Sequence, residues 1–287
     1  MREPTILARV DRVAENPDLR FADEFGGFSG LEIDPASDML VAITDRGFAA
    51  RLAKAFPPRV LAIGRLGLRS PNPYYIDAEG LRAGPDGRWW IAFERFNRLE
   101  PHPPGWDGVL AMPLRRYSPP AIRNLPTNEG LESIAVLADG RLVVIAEQAE
   151  GAPMLLLDAE AQVLHRYVYE SPRAPTDAAA LKDGGLLVLT RSLLWPLPPF
   201  FSTVLEYVPP GWEELSSVKG RPILALSREL PAENYEGMAV EPSADSTLRI
   251  WLISDDNFLP IQRTLLLRLD VPLTCLDASE SCPVERR

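Results

Sequence analysis

Histidine and cysteine are nearly missing from these 287 residues: there are two of each, His102, His165, Cys275 and Cys282. Two thiols and two imidazoles far apart in sequence leave no four-ligand zinc set. The same scarcity works against a serine nucleophile, because Ser29 stands beside Gly30 with no histidine placed to take its proton. His102 sits in a long loop without a positioned partner and reads as a surface residue, and His165 falls on an outer strand. There is no Gly-x-Ser-x-Gly elbow, no glycine loop for a phosphate and no His-Glu-x-x-His. Basic residues are also short, 30 against 40 acidic ones, giving a formal charge of −10. Nucleic acids and anionic membranes need clustered Lys and Arg, so neither is an expected partner. No run approaches 18 apolar residues, and no membrane span is expected. Met1-Arg2-Glu3-Pro4 lacks the apolar core of a leader. A cytosolic chain would begin this way, as would a mature periplasmic or secreted one without its leader.

Helical periodicity is lacking as well, and the 29 prolines spread through the connections disfavour helices. What the chain has instead is a repeat. Phe28-Ser29-Gly30-Leu31, Ala78-Glu79-Gly80-Leu81, Asn128-Glu129-Gly130-Leu131, Thr176-Asp177-Ala178-Ala179 and Tyr235-Glu236-Gly237-Met238 align. Counted at the glycine position, the steps are 50 (30 to 80), 50 (80 to 130), 48 (130 to 178) and 59 (178 to 237). Each unit continues through a turn, such as Asp139-Gly140, into an apolar run: Met39–Ile43, Trp89–Phe93, Leu142–Ala146, Leu186–Leu189 or Ile250–Ile253. Short apolar runs bounded by Asp-Gly turns are strands buried on both faces. Third strands are expected at Val109–Leu114, Met154–Leu157, Thr203–Tyr207 and Thr264–Leu269, with a weaker one near Arg51–Phe56. Fourth strands are expected at Val60–Leu66, Ile122–Leu125, Val163–Tyr169 and Ile223–Leu226.

The last unit lacks a fourth strand, and Ile6–Val10 is a strand with no unit ahead of it. Lending that strand to the last unit closes a ring and removes the open edges. The expected fold is all-β: a β-propeller of five four-stranded blades over residues 1–270, with a tail at 271–287. A sixth blade would have to hide in the 59-residue step. In the tail, Cys275 and Cys282 could form one local disulfide suited to an oxidising compartment, or remain two free thiols.

In such a blade, the connection into strand one and the turn after strand two share a face. That face receives Ser29, Glu79, Glu129, Asp177 and Glu236, together with Asp45-Arg46, Glu94-Arg95, Glu147-Gln148, Arg191 and Asp255-Asp256-Asn257. Converging carboxylates repel unless a cation compensates. Carboxylate and amide oxygens suit Ca²⁺, so Glu79, Glu129, Asp177, Glu236 and Asp255 are candidate calcium ligands. An acid before glycine can also brace its own turn by accepting backbone N–H bonds. The apolar segment Leu193–Phe201, with Trp195 and Phe200, either packs on a neighbouring blade or walls a ligand pocket together with Asn257.

The combination of Phe28-Ser29-Gly30-Leu31 with Thr44-Asp45-Arg46-Gly47, Glu79-Gly80-Leu81 with Phe93-Glu94-Arg95, Asn128-Glu129-Gly130-Leu131-Glu132, and Tyr235-Glu236-Gly237-Met238 with Ser254-Asp255-Asp256-Asn257-Phe258 resembles the phytase-like propeller family, labelled "esterase-like activity of phytase". The resemblance spans roughly residues 25–270. It implies a bacterial, often exported hydrolase of phosphate or carboxylic esters that uses calcium. The Asp-Gly-Arg-Asn-Asn-like motif of true propeller phytases is not found, which counts against inositol phosphates. On this reading Glu236 and Asp255 do proton work, and Arg46, Arg95 and Arg191 offset charge on a phosphate or oxyanion. A monomer acting on a small-molecule ester is expected. A calcium-dependent lactonase and a non-catalytic binding propeller are the alternatives.

Overall fold

The structure, a computed structural model, describes residues 5–13, 25–67, 75–194, 200–226, 230–243, 246–278 and 282–286. It is a five-bladed β-propeller. Blade one holds Phe28–Ile33, Leu40–Thr44, Phe48–Leu52 and Val60–Arg65. Blade three holds Leu131–Val136, Leu142–Ala146, Ala152–Leu157 and Val163–Tyr169, with Ser217–Val218 added in parallel on its outer edge. Blade four holds Ala174–Ala180, Leu186–Leu194, Phe200–Val208 and Arg221–Ala225.

Blade five begins with Asn234–Ser243, Thr247–Asp255 and Leu265–Pro272. The N-terminal strand Ile6–Arg12 then pairs antiparallel with the third of these, Leu7 opposite Asp270 through Arg12 opposite Leu265. The ring closes as the repeat count requires. Val284–Arg286 adds one more strand, parallel to Ile6–Ala8, so the first and last described strands lie in one sheet. A disulfide joins Cys275 to Cys282 immediately before that strand.

Blade two departs from expectation. Its strands are Ala78–Ala83, Trp89–Phe93 and Arg98–His102, and the expected third strand Val109–Leu114 instead overlaps a short helix, Gly105–Leu110. The expected fourth strand Ile122–Leu125 likewise overlaps a helix, Pro120–Arg123. Proline explains both: it donates no backbone N–H to a ladder and is favoured in a helix's first turn, and residues 103–120 carry Pro103, Pro104, Pro113, Pro119 and Pro120. Among the described residues, an isolated bridge from Leu99 to Tyr117 marks where a fourth strand would lie. In blade one the third strand is Phe48–Leu52, earlier than the expected Arg51–Phe56.

The second strands Leu40–Thr44, Trp89–Phe93 and Leu142–Ala146 are buried along their whole length because each is sandwiched between blades. Between blades five and one, Trp251, Ala239 and Ile253 pack on Leu31, Leu40 and Ala42. Burial of each large side chain there contributes roughly 1.5–3 kcal/mol.

The recurring glycines answer to crowding at the axis. A Cβ on Gly237 would stand 2.8 Å from backbone atoms of Gly30 and Leu31, and one on Gly80 would stand 2.9 Å from the Glu132 carbonyl oxygen. Below this level Arg82 crosses the channel. It donates to the carbonyl oxygens of Ala178 at 2.8 Å and Leu31 at 3.0 Å and pairs with Asp177 at 2.7 Å. One side chain thus ties blades one, two and four together and floors the channel.

Candidate functional site

Each innermost strand carries a β-bulge at the same level. The pairing register skips Ser29, Glu79, Glu132, Thr176 and Glu236. A bulge leaves one residue unpaired and re-aims its side chain. Five equivalent side chains therefore form an inner ring at the mouth: three glutamates and two hydroxyls. Ser29 donates to the Ala78 carbonyl oxygen and Thr176 is 3.4 Å from that of Tyr235, so the hydroxyls stitch neighbouring blades.

A second ring comes from the ends of the second strands: Asp45, Glu94, Glu147, Arg191 and Asp255. Backbone N–H groups of Asp45, Glu94 and Glu147 bond Gly27, Asp77 and Gly130, while Arg191 and Asp255 stand opposite Ala174 and Asn234. Asp77 and Asn234 are thus equivalent positions, each two residues ahead of an inner-ring glutamate.

The rings hold seven carboxylates with Asp77 as an eighth, and two arginines pair with them. Arg191 bridges Glu147 and Glu236 while also bonding Asn234. Arg95 pairs with Asp77 at 2.7 Å. Glu79 is 8% exposed and Glu132 7%, and among the described residues neither forms a hydrogen bond or ion pair. Burial, then the facing Glu132 and Asp77, pushes the Glu79 carboxyl well above its ordinary range. Burial, then Glu147 and Glu236, does the same to Glu132. Burial raises Glu94 to about 7 against the pull of the Gly130 N–H, and raises Asp45 to about 6. Asp255 is pushed up to about 8 by burial and then by Glu236. Glu236 is raised by burial, although Arg191 and the Asn234 amide, 2.7 Å away, pull the other way.

Asp77, Glu79 and Glu94 bring one oxygen each within 4.8 Å of one another, all buried. Oxygens across a Ca²⁺ ion stand up to about 5 Å apart, and hard cations take such all-oxygen sets. This trio could hold a metal ion. A cavity of about 510 Å³ opens at the rings, lined by Glu147, Arg191, Asn234, Glu236, Asn257 and Gln262 together with Leu193, Phe201 and Leu259.

Of the residues singled out from sequence, Glu79, Glu236, Asp255 and Arg191 come together here. Glu129 does not: it is exposed, on the segment leading into blade three. The register counted from Gly130 is displaced, because Glu132 occupies the bulge. Gly130 is a glycine for another reason, as its Cβ would stand 2.4 Å from the Asn97 amide oxygen. Asp177 also lies apart, one residue past the bulge and fully buried. It accepts N–H bonds from Ala178 and Met238 at 2.8 Å in addition to the Arg82 pair. Burial raises it to about 7 even so. Its contacts are those of a brace. Arg46 lies over the Phe258 ring at 3.2 Å, and both Arg46 and Arg95 stand exposed at the rim. The Asn257 backbone N–H donates to Asp255 at 2.7 Å, and its side chain donates to Gln262 at 2.8 Å.

The apolar segment is the upper part of a long hairpin in which Leu193 pairs Phe201 and the Leu194 backbone pairs that of Phe200. Trp195 and the side chain of Phe200 lie outside the described residues. His102 is on a blade-two strand, fully buried, with Nδ1 2.9 Å from the Ala111 carbonyl oxygen. Among the described residues no helix is long and apolar enough to cross a membrane.

The phytase-like family, described as esterase-like activity of phytase, matches residues 23–258. No curated protein matches the chain. Among solved structures, one assigned as a gluconolactonase is 12% identical over 92% of this chain and 93% of its own, with a TM-score of 0.47. Virginiamycin B lyase from Staphylococcus aureus is 13% identical over 90% and 83%, at 0.46. A streptogramin B lyase is 10% identical over 92% and 98%, at 0.47.

Proposed function

The chain belongs to the phytase-like family, and from that premise together with the mouth's chemistry we propose that it is a calcium-dependent hydrolase of phosphate or carboxylic esters. The observation that carries this reading is the pair of buried, unpartnered glutamates, Glu79 and Glu132, in a ring of carboxylates beside a substrate-sized cavity. Isolated buried carboxylates cost several kcal/mol unless they are protonated or meet a cation. Asp77, Glu79 and Glu94 are the residues that would hold the ion. When bound, calcium would supply positive charge to polarise a substrate oxygen and orient water.

The remaining work falls to this chain's own groups. Asp255, titrating at about 8, takes a proton from an attacking water and returns it to the departing alkoxide. Glu236 is held by Arg191 and Asn234 and faces the same cavity. Arg191 lines the cavity where charge develops on the substrate oxygen, and Arg46 and Arg95 meet the substrate at the rim. The same mouth suits an exported or a cytosolic enzyme, and small-molecule esters are its expected partners.

The test is turnover of a panel of p-nitrophenyl esters with calcium, after chelation, and in an Asp255→Asn/Glu236→Gln variant checked for folding by circular dichroism. Loss of turnover on chelation and in the folded variant supports the proposal. A wild-type protein with calcium that turns over no ester above blank overturns it.

A further inference from the structure

Resting on the hydrolase reading, we infer that the mouth selects an uncharged carboxylic ester or lactone with an apolar arm, and that it rejects phosphate monoesters. Charge is the first ground. Eight carboxylates face the mouth, while Arg191 is already shared between Glu147 and Glu236 and Arg95 is paired with Asp77. Among the described residues a single trio, Asp77, Glu79 and Glu94, has the spacing to hold a cation. Where the ring is ionised, one divalent ion leaves carboxylates in surplus, and a phosphate dianion would be repelled from the mouth by the field that surplus creates. A neutral ester meets no such barrier.

Shape and polarity are the second ground. The cavity of about 510 Å³ takes its polar lining from Glu147, Arg191, Asn234, Glu236, Asn257 and Gln262. Leu193 and Phe201 from the tall blade-four hairpin and Leu259 from the turn after Asp255 add an apolar stretch of wall to the same lining. Leu193 is 50% exposed and Leu259 45%, which leaves apolar surface for a ligand to cover. A phosphate headgroup has no use for that wall, whereas an alkyl or acyl arm does. The chemistry balances without a further reactant. Water adds to the acyl carbon, the bond from that carbon to the alcohol oxygen breaks, and the water's proton goes to the departing oxygen. A carboxylic acid and an alcohol result, or one hydroxy acid from a lactone.

The experiment compares p-nitrophenyl butyrate with p-nitrophenyl phosphate, which share a leaving group, using wild-type protein with calcium. Calcium stoichiometry is measured by titration calorimetry. Binding of orthophosphate and of 2-heptanone, a non-hydrolysable ketone shaped like an ester, is followed by ligand-observed NMR. The expected results are kcat/KM for the butyrate at least about tenfold above the phosphate, one calcium per chain, and binding of the ketone but not of orthophosphate. Phe201→Ala should lower kcat/KM for the butyrate about tenfold and for p-nitrophenyl acetate by a clearly smaller factor. Phosphate turnover matching the butyrate, tight orthophosphate binding, or three calcium ions per chain overturns the inference while the hydrolase reading stands. No turnover of any ester together with ketone binding removes the hydrolase reading and keeps the selectivity. Binding of neither ligand and turnover of neither ester overturns both.

Discussion

Glu79 and Glu129 both precede a glycine in the repeat, yet one is buried without a partner and the other is exposed on a surface segment. Replacing a buried, crowded carboxylate with a neutral amide removes repulsion from the ring and a ligand from the trio. Glu79→Gln is therefore expected to raise the melting temperature of the calcium-free protein and to weaken calcium binding at least about tenfold. Glu129→Gln should change neither, and calorimetry showing Glu129→Gln to weaken calcium would displace the site from the trio. Asp177 behaves differently again. With its charge removed, Arg82 stays buried and unpaired, and losing one partner of a buried pair costs about 3–5 kcal/mol. Asp177→Asn should lower stability on that scale while leaving calcium affinity intact. The inner ring was partly legible. Glu79 and Glu236 sit where the repeat puts them, but Glu129-Gly130-Leu131 copies Glu79-Gly80-Leu81 by coincidence of type, since Gly130 relieves a contact with Asn97. A firmer signal was the spacing to the second ring. It is fifteen residues from Glu79 to Glu94, from Glu132 to Glu147 and from Thr176 to Arg191, and eighteen from Glu129 to Glu147. Bulges explain why this was hard to see: a skipped residue shifts every count by one without altering composition.

At the scale of elements, the second strands were the easiest to read, because an apolar run between two turns has few other folds available. Blade two was hard for the opposite reason: Val109–Leu114 is apolar enough for a strand, but the prolines around it deny the backbone a ladder. The N-terminal strand was legible from topology alone, as an unpaired strand at one end and a missing one at the other. What topology did not show is the clamp on that closure. Val284–Arg286 covers the outer edge of Ile6–Ala8, and the Cys275–Cys282 disulfide fixes the chain just ahead of it. A disulfide around so short a loop stabilises by roughly 2–3 kcal/mol through loss of unfolded-state freedom. For a domain of this size each kcal/mol moves the melting temperature by about 2–4 °C. A Cys275→Ser/Cys282→Ser variant should melt ~4–12 °C lower, with faster hydrogen exchange in Ile6–Arg12 than in blade three. Equal exchange in the two places would show that the tail does not guard the closure.

At the scale of the molecule, the ring gathers like charges from five distant segments, and stability must answer to pH in a particular direction. The carboxyls of Glu79, Glu94, Glu132, Glu236 and Asp255 are all raised above their ordinary values in the folded state, Glu94 to about 7 and Asp255 to about 8. The folded chain therefore holds protons that the unfolded chain has released, and between about pH 4 and 8 this part of the stability falls as pH rises. It is fully present below the unfolded carboxylate values and is gone once pH has passed the folded ones. Calcium reverses the trend, because it competes with protons for the same oxygens and binds the ionised ring best. Calcium-free protein should melt lower at pH 8 than at pH 5.5. Calcium at a hundred times its dissociation constant should add about 2.7 kcal/mol at pH 8, or ~5–11 °C, and much less at pH 5.5 for the same free concentration. Scanning calorimetry at the two pH values, with calcium and with chelator, reads all four numbers. A calcium-free melting temperature that climbs between pH 5.5 and 8, or a calcium shift of equal size at both, would mean that the carboxylates at the mouth are not held as close together as the five-bladed ring brings them.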